Sequence, residues 1–173
     1  MNITISTGNV ATYASVSGDV RIKTSTGNIR AEGLSTGTLD LSVSTGKVTV
    51  TDVACKGNVT VRVSTGKMSF TNVTCRNLSS EGSTGNVSLQ NVLATETLSI
   101  KRSTGDVKFE GCDAAELLVE TDTGNVKGSL LSEKIFFAKS DTGRVNVPES
   151  LTGGPCKITT DTGDIRIEIR KDI

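Results

Sequence analysis

Apolar residues fall into columns along this chain, and the columns repeat. The origin is the glycine of a Thr-Gly pair that recurs nine times at intervals of 19 or 20 residues, from Thr7-Gly8 to Thr162-Gly163. Two residues after it stand Val10, Ile29, Val48, Met68, Val87, Val107, Val126, Val145 and Ile165, without exception apolar. Five before it come Ile3, Ile22, Leu41, Val61, Ser80, Ile100, Val119, Ala138 and Ile158. Seven before it come Met1, Val20, Leu39, Val59, Leu78, Leu98, Leu117, Phe136 and Cys156. The intervening positions are mostly charged or hydroxylic. Period two on each side of the glycine predicts a half-buried strand, a tight turn and a second strand. Apolar periodicity at 3.6 runs over no useful length, which predicts essentially no helix. A further apolar column seven after the glycine (Leu34, Val53, Val73, Val92, Cys112 and Leu131) turns a corner inward and closes each repeat.

The glycines lie 19 or 20 residues apart throughout. A meander of hairpins has no need of the same residue in the same column at that interval, whereas a coil that stacks its columns on themselves does. The predicted fold is therefore all-β: a single-stranded β-solenoid of about nine rungs of 19–20 residues. Right-handed coiling is the default for parallel crossovers. Parallel rungs about 4.8 Å apart make a rod roughly 40 Å long. Glycine supplies the unusual backbone angles of the turn, and the Asn or Asp that often follows it tolerates them next best. One rung is too small to fold alone; the stack is the stable unit.

Outward columns then become ladders. Arg62, Glu81, Lys101, Glu120 and Lys139, four before the glycine, alternate in sign over five successive repeats, so stacked neighbours attract. By parity with the valines two after the glycine, the turn Thr points inward. That weighs against an ice-binding face, which needs outward Thr spaced by one residue on a flat sheet. Arg102 falls in an inward column, three before its glycine, and its head is expected to escape to solvent at the turn. Leu118 and Phe137, six before the glycine on consecutive repeats, with Ile135 extending them, form a candidate interaction patch.

Composition narrows the chemistry. Nineteen basic residues balance 19 acidic ones, so no basic stripe marks a nucleic-acid partner. No apolar run is long enough for a membrane insertion by this segment. Met1 to Val10 carry no visible secretory signal. There is no His, the commonest general base and transition-metal ligand. Asp122-Thr123-Gly124, Asp141-Thr142-Gly143 and Asp161-Thr162-Gly163 spell the aspartic-protease triplet, but six other repeats carry Ser in that slot and the triplet serves the turn in all nine. Among the four cysteines, Cys55 and Cys75 share one column in consecutive repeats and read as two free thiols in preference to a disulfide. Cys112 and Cys156 read as small buried hydrophobes. No zinc spacing occurs. The expectation is no catalytic, metal or cofactor-binding residue.

The ends differ. The first rung starts without a cap, at Met1 and Ile3, so the single domain spanning 1–173 reads as the C-terminal part of a longer protein. At the other end Ile165, Ile167 and Ile169 alternate with Arg166, Glu168 and Arg170 before Lys171 and Asp172, which reads as a charged finish.

The S-T-G-N-V and T-D-T-G-D-I repeats at 19–20 residues resemble those of a bacterial adhesin β-strand-repeat family, classed as a domain of unknown function, over the whole chain. The resemblance implies a β-solenoid attached to bacterial envelope proteins, some linked to envelope stress, and supplies no catalytic residues. The leading expectation is a non-enzymatic cell-envelope module, a stiff rod for adhesion or for docking a protein or cell-surface partner. A cytoplasmic setting is the alternative. A second function is a scaffold that self-associates end to end through uncapped rungs. A third, a polysaccharide-processing β-helix enzyme, lacks the aromatic platforms and clustered charges such enzymes use.

Overall fold

The computed structural model describes residues 1–13, 15 and 17–170, and it is a β-solenoid. Seventeen strands and no helix occur among the described residues, and every strand pairing is parallel. Each rung has a leading strand that ends at the turn threonine and a trailing strand that begins two residues after the glycine. The first rung comprises Asn2–Thr7 and Val10–Thr12; the fourth, Asn58–Thr65 and the start of Met68–Thr84. The predicted columns are the core: Val20, Leu39, Val59, Leu78, Leu98 and Leu117 are buried, as are Val48, Met68, Val87 and Val107. The corner column, Leu34, Val53, Val73, Val92 and Cys112, is buried as well, but its predicted sixth member, Leu131, is only partly buried because a register shift sets Leu130 opposite Cys112.

The turn glycine answers to two constraints at once. At Gly66 φ is +146°, which an L side chain rarely adopts, and a Cβ there would lie well under 3.0 Å from the carbonyl oxygen of Gly46 in the rung below. The same collision recurs up the stack because each Gly N–H donates to the Thr carbonyl of the next rung, as from Gly46 to Thr65 at 3.0 Å. The following Asn or Asp has another task than the one expected. No residue at that position has a positive φ. Its side-chain oxygen instead accepts the backbone N–H of its counterpart one rung on: Asn28 N–H to Asn9 at 3.0 Å, Asp106 N–H to Asn86 at 2.9 Å, Asn125 N–H to Asp106 at 2.8 Å. Among the described residues, positive φ outside glycine is confined to the second corner, at Asp52, Asn72 and Asn91, six after the glycine. There Asn72 donates to Asp52 and Asn91 to Asn72.

The order of the rungs corrects the sequence reading. The seventh rung (Glu116–Thr123, Val126–Leu130) pairs not with the eighth (Lys134–Thr142, Val145–Asn146) but with the ninth (Gly154–Thr162, Ile165–Ile169). The eighth then pairs with the ninth from the far side. The chain steps over one position, makes the terminal rung, and returns to fill the gap. Proline does not make the choice, since Pro148 follows the short eighth-rung strand while Pro155 stands inside the interior ninth-rung strand; stacking room does. Gly154 stacks on Ala115, where a Cβ would lie well under 3.0 Å from the Ala115 carbonyl oxygen, while the residue at the corresponding eighth-rung position is Lys134. Three expectations fall with the new order. Thr159 separates Glu120 from Lys139, so the charge ladder stops at Glu120 and Lys139 pairs with Asp141 of its own strand at 3.5 Å. Lys157 separates Leu118 from Phe137. The Ile165–Ile169 strand is interior and no finish; Lys171 and Asp172, counted with it, lie outside the described residues.

Stacking contact predicts the ranking of two alanine substitutions. Gly8→Ala meets only Ile5 Cδ1 at 3.7 Å and incurs backbone strain of about 1–3 kcal/mol. Gly66→Ala adds a collision between main chains. Denaturant unfolding should show Gly66→Ala at least twice as destabilising as Gly8→Ala; equal losses would show that φ alone demands the glycine.

Candidate functional site

The first candidate is the hydroxyl stripe at the turn. The turn threonine is exposed in all nine rungs, as is the Ser or Asp before it, contrary to the inward direction expected from parity. Two consecutive residues face outward here because the chain is already turning. The last inward residue lies three before the glycine: Val43 and Val63 are buried there, as are Thr24, Thr121 and Thr160. The threonines nevertheless form one column only. The residues two positions away on either side are that inward column and the Asn/Asp/Lys/Arg column, so the paired-Thr lattice of an ice-binding face is missing. Asp122, Asp161 and Asp141 continue the stripe, all exposed, with Asp161 between the other two. A shared-proton dyad needs two carboxylates held together in a sheltered site.

Arg102 does not escape to solvent. It is 2% exposed, its side chain runs along the axis through the room left by Gly82 in the rung below, and Nη1 donates to the Val63 carbonyl at 3.0 Å. A Cβ on Gly82 would lie well under 3.0 Å from Nη1. Nε and Nη2 find no partner among the described residues, and desolvation pulls the guanidinium pKa below its usual value. The neighbouring inward slot holds Ser80, bonded to Met68 Sδ at 2.9 Å. Two undersized residues in inward columns, Ser80 and Gly82, were the sequence signal that the next rung sends something large down the core.

A second buried cation marks the crossing of the last rungs. Lys134, 3% exposed, pairs with Asp113 at 2.7 Å and donates to Ser132 Oγ; Ser132 in turn donates to Asp113 at 2.9 Å. Lys134 belongs to the terminal rung and Asp113 to the corner before the seventh, so the pair spans the inserted ninth rung. This cluster fastens the exchanged order. Sequence patterning missed it because Lys134 lies outside the repeating columns.

The cysteines are four buried free thiols, as expected. Burial pushes Cys75 up to about 12, with the Cys55 thiol adding to the rise. Burial likewise pushes Cys156 up to about 12, against a smaller pull from Lys134. Cys55 and Cys112 also rise, chiefly through desolvation. These groups are inert as nucleophiles near neutrality. No group of three or more His, Cys, Asp or Glu that could hold a metal occurs among the described residues.

Of the predicted patch, Ile135 (36% exposed) and Phe137 (58%) lie on the terminal rung, while Leu118 is partly buried two positions away. The apolar surface there is completed by residues outside the prediction. Val145, Val147, Pro148 and Leu151 join Ile135 and Phe136 around a cleft of about 710 Å³ at the end of the rod.

The family described as Toastrack DUF4097 matches residues 47–173, from the turn of the third rung to the end of the chain. No curated protein and no solved structure matches.

Two measurements check the buried groups. Arg102→Met keeps the length that fills the Gly82 gap while removing a largely unpartnered charge, and should stabilise the fold by about 1–3 kcal/mol in denaturant unfolding; a loss would mean that the Val63 bond outweighs desolvation. For the thiols, the folded state retains protons that the unfolded chain releases above the ordinary value of 9.0. Stability should therefore be intact below pH 9 and decline between about 9 and 12, by up to about 1.4 kcal/mol per pH unit for each such thiol. Replacing Cys75 and Cys156 with Ala should flatten that decline in unfolding curves taken across the alkaline range.

Proposed function

Because this chain belongs to the Toastrack DUF4097 family, a β-solenoid family of unknown function, we propose that it is a non-enzymatic module of the bacterial cell envelope, a rod that adheres along its shaft. The observation that carries the reading is the stripe of outward Ser/Asp and Thr side chains in every rung. The stripe repeats one short polar unit about every 4.8 Å. Each hydroxyl offers one donor and two acceptor lone pairs, and its partner in water is easily exchanged. One such bond contributes little, but a row of them acts on an extended polar polymer through effective concentration, as linked weak sites do. The polar polymers of an envelope fit that mode of attachment. Docking of a protein along the same stripe would use the same groups.

The test is cosedimentation of the full chain with bacterial envelope fractions. Wild type should associate, and Thr65, Thr84 and Thr104 all replaced by Glu should reduce association at least tenfold. Exposed-site changes of this kind ordinarily alter stability by only about 0.5 kcal/mol each. Ser88, Lys108 and Lys127 replaced by Glu, on another exposed column, should leave it intact. Absence of association by wild type, or equal loss in both triple variants, would remove the stripe as the adhesive surface.

A further inference from the structure

The terminal rung carries an unpaired edge, a socket and a knob on one surface. Lys134–Thr142 is a nine-residue strand bonded, among the described residues, only to Gly154–Thr162, so its far edge presents backbone donors and acceptors to solvent. Natural edges of that length are usually blunted or covered. The inward side chains are unfinished too: Phe136, Ala138 and Val147 are only half-buried and Val145 is 42% exposed. The 710 Å³ cleft opens beside them, and Leu151 on its rim is 97% exposed.

A socket adjoining a knob suits a copy of itself turned about a two-fold axis, since each partner then gives and receives the same contact. The edge strand is self-complementary in the same sense. Full-length antiparallel pairing of Lys134–Thr142 with itself centres on Ala138 and keeps inward residues against inward ones. Phe136 then lies opposite the partner's Ser140, Phe137 opposite the partner's Lys139, and Ile135 opposite the partner's Asp141. No like charges face one another, and the lysine stem covers a ring that is 58% exposed in the single chain.

We propose that two copies of this chain join end to end through the eighth rung, pairing Lys134–Thr142 antiparallel, with Leu151 of each seated in the cleft of the other. Head-to-tail stacking would instead lay a parallel rung over Val145–Asn146 and Pro148, a two-residue strand closed by a residue with no donor. The contact is separate from the shaft stripe and stands or falls independently of envelope adhesion.

Sedimentation velocity of the chain from micromolar to millimolar concentration tests it. Wild type should reach the mass of two chains and no more. Leu151→Glu, at a fully exposed loop position, should shift the dissociation constant at least a hundredfold toward monomer with unchanged circular dichroism. Phe137→Lys, which would face the partner's Lys139 with a like charge, should do the same, whereas Tyr13→Glu, an exposed site on the first rung, should leave the dimer intact. Exchange of those amides of Lys134–Thr142 that face away from Gly154–Thr162 should be slow in the wild-type dimer and fast in Leu151→Glu. A wild type that stays monomeric, a dimer unaffected by Leu151→Glu, or mass that grows without limit would each overturn the proposal.

Discussion

Within the stack, a strand residue has its own column-mate as neighbour about 4.8 Å above and below. A side chain is therefore admitted only if it tolerates a copy of its own position. Valine and leucine satisfy this by packing, and Asn and Asp by passing a hydrogen bond upward, as Asn9 does to Asn28 and Asn86 to Asp106. Glycine satisfies it at the turn, where the carbonyl below occupies the space a Cβ would need. Even the exception obeys the rule. Arg102 enters the core because Gly82, next in its column, has no side chain.

Column identity does not depend on the order in which rungs are laid down, and the exchange at the end of the chain exploits that freedom. The eighth and ninth rungs carry the same turn and the same inward positions, so either fits against the seventh by its columns alone. The choice falls to residues outside the columns: Gly154, which lies against Ala115 where a Cβ would collide, and the Lys134–Asp113 pair, which reaches across the inserted rung. A buried ion pair is a poor source of stability but a good selector between near-equivalent arrangements. Here it distinguishes two stacking orders that hydrophobic patterning leaves degenerate.

That degeneracy explains what could be read from the sequence. The fold, the turns and the core columns were legible because repeat and period two report the same geometry independently, as with Val48, Met68 and Val87. The rung order was not, although Gly154 stood in view, because it does not alter the column pattern. The direction of the turn threonine was misread by extending strand parity through residues that already belong to the turn. Arg102 was misread because a charge at the end of a strand ordinarily finds water; the missing volume at Ser80 and Gly82 pointed the other way. The terminal cleft was half legible. Ile135 and Phe137 were visible as outward apolar residues, but Val145 and Val147 occupy inward columns and become surface only because their rung is last.

The same constraint separates the sides of this rod from its end. Along the shaft each strand pairs with a rung above and a rung below, and what remains outward is mostly short, polar and repetitive. Such a surface can be gripped at many places but cannot distinguish one from another. At the eighth rung the column rule is relaxed, since no further rung among the described residues stacks on it. Phe136 and Leu151 depart from the repeat there, Val145 keeps its column residue but loses its cover, and an unpaired edge lies beside them. Repetition favours avidity along the side, and loss of repetition favours recognition at the tip. A chain that needed both would place its irregular residues where this one has them, in the rung moved to the end.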